Sequence, residues 1–270
     1  MQKSQCFRVK GLKSPKLKDG LFDRIFLDMS EKIGIPVKSG MTDIIIHDGP
    51  SYTTDNIIYI SEKFTEKKDF LIKVFTHELI HKIIFEHYGQ LIGFFDEGIA
   101  VFLADNGYYR KAFDFSVHDF CRTLLKNNIL YPLKQVIDNR RYYGRRHDFR
   151  IDFEAASFTG YIFEKFGNEK FFDMYSRIIR PSNSRPFTNI YNVIKNTYKK
   201  DFTTLEKEWM IFLKTLPENN IPERFILGKT FYKRIPLRSI HCHSCATPLE
   251  NKDSICTACG LDNSIAIRIS

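Results

Sequence analysis

Residues 77–81 read His-Glu-Leu-Ile-His in the middle of a stretch, 67–88, whose apolar positions Phe70, Leu71, Val74, Phe75, Leu79, Ile83 and Ile84 predict one long helix stopped by Gly89. Residues four apart on a helix share a face, so His77 and His81 present two imidazoles to one point, the spacing a metal ion requires. Glu78 projects from the same turn, close enough to act on a water at the metal without being a ligand. Two imidazoles alone hold zinc weakly, so a third ligand is needed, and His87 and Glu97 compete for that place. On an unbroken helix His87 would point about 240° away from His81 and about 9 Å further along the axis, which makes it a helix-end histidine. Gly89 and Gly93 let the chain reverse, and a second helix, 96–105, then brings the Glu97 carboxylate back towards the two imidazoles. Gly98 and Ala100 are small and are expected to let this helix pack close to the first.

Around this pair the chain reads as α+β, mostly helical. TDIIIHDG (42–49) and NIIYIS (56–61) have strand character, 21–33 has helical spacing, and helical patterns continue through 113–127, 132–139, 153–166, 169–180, 187–197 and 203–215. Residues 1–20 carry six Lys or Arg against one Asp and are expected to form a basic, poorly ordered arm. The predicted organisation is a domain over 21–216, a linker over 217–240 that includes PENNIPERF, and a small β-rich module over 241–262. No apolar run reaches the roughly 18–20 residues that cross a bilayer, and the N-terminus has no apolar secretory core, so no membrane partner and a cytoplasmic location are expected.

That last module is set by cysteines. Cys242, Cys245, Cys256 and Cys259 form two Cys-x-x-Cys pairs with ten residues between them, the spacing that surrounds one tetrahedral zinc with four thiolates. Disulfides suit a reducing compartment poorly. A structural zinc ribbon is the expectation.

His-Glu-x-x-His followed by a turn and a Glu-Gly-x-Ala helix resembles the gluzincin metallopeptidases. DEGIA (96–100) is similar to the NEGFA-type motif of zinc aminopeptidases and the EGLA-type motif of the peptidase MA group, and the fifteen residues between His81 and Glu97 suit the latter. SFTGYIFEKFGNEKFFDMY (157–175) resembles the Ser-Phe helix-turn-helix of peptidase MA-like domains, TLEKEWMIFL (204–213) their closing Leu-Glu-x-x-Trp helix, and YPLKQVI (131–137) their short Pro-Leu connection. The resemblance spans about 67–215. It implies a zincin-like metallopeptidase domain with His77, His81 and Glu97 as ligands of a catalytic zinc, Glu78 as general base, and hydrolysis of peptide bonds by a zinc-activated water. The two expected cofactors are therefore one catalytic and one structural Zn²⁺.

The family often supplies an oxyanion donor from a later helix. Tyr161 is the candidate, with Tyr142, Tyr143 and His147 as alternatives, and Phe153 stands where these domains often carry a Tyr. The resemblance also implies that the NIIYIS strand is an edge that binds extended peptide, which assigns substrate positioning to Ile58, Tyr59 and Ile60.

A formal charge of +9 raises a second possibility. RRYYGRRHDFR (140–150) holds five Arg, two Tyr and a His, a composition that grips phosphates and stacks on bases, and zinc ribbons often accompany nucleic-acid machinery. A HExxH domain followed by a ribbon is similar to the SprT-like proteases of DNA-bound proteins, which use a third histidine where this chain offers Glu97. The ribbon could alternatively recruit a protein partner that the protease domain regulates. A noncatalytic zinc domain would not need Glu78.

Overall fold

The computed structural model describes residues 6–11, 20–35, 41–54, 56–88, 93–105, 115–138, 149–179, 190–219, 221, 240–241 and 248–249. The four ribbon cysteines, the Arg-rich run up to residue 148 and the candidates Tyr142, Tyr143 and His147 lie outside them.

The fold is α+β and mostly helical. Its four-stranded sheet consists of β1 (Phe7–Lys10), β2 (Thr42–His47), β3 (Tyr52–Thr53) and β4 (Ile57–Ser61), in the order β1-β2-β4-β3. β1, β2 and β4 are parallel, and β3 turns back antiparallel to β4 as an edge. The helix α1 (Leu21–Ile33) provides the crossover from β1 to β2 and ends at Gly34, whose φ of 70° is the left-handed C-cap glycine suits.

Two sequence expectations are corrected here. The basic arm is in part a sheet strand: Phe-Arg-Val-Lys alternates, and Phe7 inserts between Phe26 of α1 and Phe75, with ring centroids 5.5 and 5.4 Å away. Nor is NIIYIS an edge strand. β4 lies between β2 and β3, so Ile58 and Ile60 are fully buried and Tyr59 stacks on Tyr52 at 4.4 Å. The true edge, Tyr52–Thr53, is too short to give an alternating signal.

Beneath the sheet runs α2 (Lys68–Tyr88), buried on nearly every side through Leu71, Phe75, Leu79, Ile80, Ile83 and Ile84. A helix apolar all round belongs in a core, and this one is the centre of the molecule. The helix α3 (Gly93–Asp105) packs between α2 and α6 (Phe149–Phe166). Gly98 makes that second seat, because a Cβ there would lie 2.7 Å from the Ala155 main-chain oxygen. The small residue thus serves the contact with α6 instead of the expected one with α2.

Onto α6 pack α4 (Val117–Lys126), α5 (Leu133–Asp138), α7 (Asn168–Ile179) and α9 (Phe202–Thr215), with α8 (Ile190–Tyr198) filling between α7 and α9. Three sequence motifs meet here. Trp209 Nε1 donates to Ser157 Oγ at 3.0 Å, Phe158 meets the Trp209 ring edge-on, and Glu206 accepts from the Leu133 N–H at 2.8 Å, capping α5. Between α6 and α7 the turn is made by Gly167 at φ 86°. Two short strands, β5 (Ile240–His241) and β6 (Pro248–Leu249), pair antiparallel and bracket the first cysteine pair in sequence. No helix among the described residues is long and apolar enough to cross a membrane.

Candidate functional site

His77 and His81 occupy successive turns of α2 and turn their Nε2 atoms to within 3.0 Å of each other. Glu97, on the first turns of α3, straddles them: Oε2 is 3.5 Å from His77 Nε2 and Oε1 is 3.6 Å from His81 Nε2. One ligand atom from each residue lies within 4.8 Å of the other two. With metal–ligand bonds of about 2.1 Å, the edge of a zinc tetrahedron is about 3.4 Å, and these separations bracket it. The three side chains are 23%, 10% and 31% exposed, so the point they share is reachable from solvent. The structure brings together the three residues that the sequence offered as ligands. His87, by contrast, sits exposed in the last turn of α2 against Tyr88, away from the cluster.

Electrostatics favour a cation at the same point. Asp96 is buried, with Oδ2 2.8 Å from His81 Nδ1, so His81 has a carboxylate on each ring nitrogen. Burial resists a charge on His81, but Asp96 and Glu97 overcome it and the imidazole is pushed up to about 10. In the metal-free chain one hydrogen is shared between the two Nε2 atoms. A divalent ion would take the place of that proton, with the Asp96 carboxylate behind His81. The donor set fits zinc.

Glu78 is not one of the converging three, but His81 and Asp96 both act on its carboxyl electrostatically. Glu78 is 7% exposed, and its carboxylate accepts from Thr53 Oγ1 at 3.0 Å. Burial pushes the carboxyl up to about 7, against the pull of His81 and the Thr53 hydroxyl. A carboxylate with that affinity can take up and return a proton near neutrality. One turn before His77, burial lowers the Lys73 ammonium to about 7, with Asp105 of α3 opposing the shift.

Tyr161 is not brought to this cluster by its described contacts. Its hydroxyl accepts from Lys165 at 2.6 Å and its ring packs against Phe212 of α9, in a groove that Glu164, Glu208 and Ile211 also line. Ile58 and Ile60 are buried under the sheet, as described. Two residues that touch His81 and Glu78 were missed by the sequence: Asp96, whose signal was a second acid directly before Glu97, and Thr53, for which sequence spacing held no signal.

No protein-family model matches the chain, and neither does any curated protein or solved structure.

Proposed function

We infer that the protein is a zinc-dependent peptidase of the gluzincin type with a zincin-like fold. The observation that carries this is the convergence of His77, His81 and Glu97 on one solvent-accessible point, with the buried Glu78 carboxylate on the adjoining position of the same helix. Bound zinc would supply Lewis-acid polarisation of the scissile carbonyl and a water of lowered pKa. Glu78 accepts the proton of the attacking water and returns it to the leaving amine. Asp96 keeps His81 in the orientation that holds the ion.

The edge strand supports a peptide as substrate. Thr54 N donates to the Ile57 carbonyl at 2.9 Å, and Thr53 is the next partner along, opposite Ile58. The alternation of an antiparallel ladder therefore turns the Thr53 N–H and C=O away from β4, towards the open side. An extended peptide adding there would lie beside Glu78. The Cys242, Cys245, Cys256 and Cys259 set is the proposed holder of a second, structural zinc, and the cytoplasm the proposed location.

The test is cleavage of an unfolded protein such as casein by the zinc-loaded chain and its Glu78→Gln variant, with metal content measured in both. The variant is expected to keep its zinc and lose about 10²–10⁴-fold in rate. Equal cleavage by the two proteins would sink the assignment.

A further inference from the structure

The side chains of the sheet divide by register. Tyr52 pairs with Tyr59 on the outer face, where the two rings stack, whereas Thr53 pairs with Ile58, whose side chain is buried on the face that looks at α2. That register sends the Thr53 hydroxyl to the general base. Oγ1 lies 2.9 Å from the Glu78 main-chain oxygen and 3.0 Å from its Oε2. One hydroxyl proton thus faces two acceptors of a single residue, a three-centre arrangement. The contact with the main-chain oxygen fixes where the hydroxyl sits relative to α2. The contact with Oε2 passes that position on to the carboxylate.

The chemistry calls for such a tether. A glutamate side chain has several rotatable bonds, and this one is withdrawn from the water that would otherwise donate to it. A carboxylate held by one oxygen keeps the other for the water it must deprotonate, and misplacing a reacting group by an ångström costs orders of magnitude in rate. We propose that Thr53 is the positioning residue of the general base: its hydroxyl anchors Glu78 Oε2 and thereby aims Oε1 at the water and the scissile carbonyl. This deepens the hydrolytic reading of the site and rests on it.

Two substitutions separate this role from a merely structural one. Thr53→Val keeps the shape and the strand preference and removes the hydroxyl; Thr53→Ser keeps the hydroxyl and loses the methyl group. If Thr53 serves only the strand, valine is the milder change. If it positions Glu78, the order reverses. With the full-length zinc-loaded protein and casein peptides, Thr53→Val is expected to lose about 10–100-fold in kcat, the worth of a hydrogen bond to a charged group, with KM and zinc content unchanged. Thr53→Ser is expected to retain most of the wild-type kcat. Wild-type kcat in Thr53→Val, or an equal loss in both variants, overturns the proposal.

Crystal structures of the zinc-loaded wild type and both variants decide the same question without turnover. The Glu78 carboxylate is expected to leave its wild-type rotamer in Thr53→Val and to keep it in Thr53→Ser; an unmoved carboxylate in Thr53→Val also overturns the proposal. A wild-type chain that cleaves no peptide would remove the hydrolytic reading by itself, and the crystallographic comparison would still judge whether Thr53 sets the Glu78 side chain.

Discussion

His81 and His118 both sit deep in helix interfaces, with side chains 10% and 13% exposed, yet their surroundings are built on opposite plans. Around His118 a neutral hydroxyl and aromatic rings surround the imidazole, and the nearest carboxylate, that of Glu164, stands 3.8 Å off. Ser157 Oγ lies 2.9 Å from His118 Nδ1 while receiving the Trp209 indole N–H, and Phe102 and Phe212 pack against the imidazole. Around His81 negative charge gathers: two imidazole nitrogens lie 3.0 Å apart, with one carboxylate straddling them and a second behind. The first arrangement lowers the energy of the fold as it stands. The second stores unfavourable electrostatics that only a positive guest relieves. A buried histidine is thus informative through the complementarity of its neighbours, more than through its burial.

Mutations can break this contrast. The largest effect is expected from His81→Ala, which should abolish binding of one zinc and bring peptide cleavage to background, measured by metal analysis and turnover. Next comes Ser157→Ala, which leaves two polar groups of the closed cluster without their partner. It is expected to cost about 1–3 kcal/mol of stability in denaturant melts with zinc affinity unchanged; a loss of zinc there would mean the two clusters are one. Asp96→Asn should weaken zinc binding about 10–100-fold in a chelator competition while altering the metal-free melt little.

Acid should act on the open cluster alone. The proton that Asp96 and Glu97 hold on His81 up to about 10 must leave before zinc enters, so apparent zinc affinity should rise with pH below that value, about tenfold per unit for one displaced proton. Flat affinity between pH 6 and pH 9 would contradict the shared-proton picture. The smallest effect is expected for Tyr161→Phe: an oxyanion donor is worth about 10²–10³-fold in kcat, whereas a hydroxyl engaged by Lys165 in the α6–α9 groove should leave kcat unchanged.

The two regions also differ in how far they were legible in sequence. The convergence of His77, His81 and Glu97 was legible in local spacing, because the two histidines are one turn apart and the glycines before Glu97 announce a chain reversal. Helix positions were legible for the same reason, since α1 and α2 are long and periodic; α3 was expected from Asp96 but begins at Gly93. Short or distant relations were not. β1 and β3 are four and two residues long, below what alternation can signal, and their discovery moved the sheet edge from β4 to Thr53. Gly98 could be recognised as a site of close packing, but nothing local says that its neighbour is Ala155. The contacts of Tyr161 follow from direction, which spacing does not give: Gly160 beside it faces Phe102 of α3, and the next position turns towards α9.

The seat of Gly98 against Ala155 has a bearing on biosynthesis. The helix that carries Glu97 is backed by α6, whose residues facing Gly98, Ala155 and Thr159, come more than fifty positions later in the chain. A growing polypeptide that has just exposed both histidines still lacks the wall that holds the Glu97 helix in place. On the proposed reading, ion capture and any power to cut other chains would be postponed until α6 has left the ribosome, which would spare neighbouring nascent proteins.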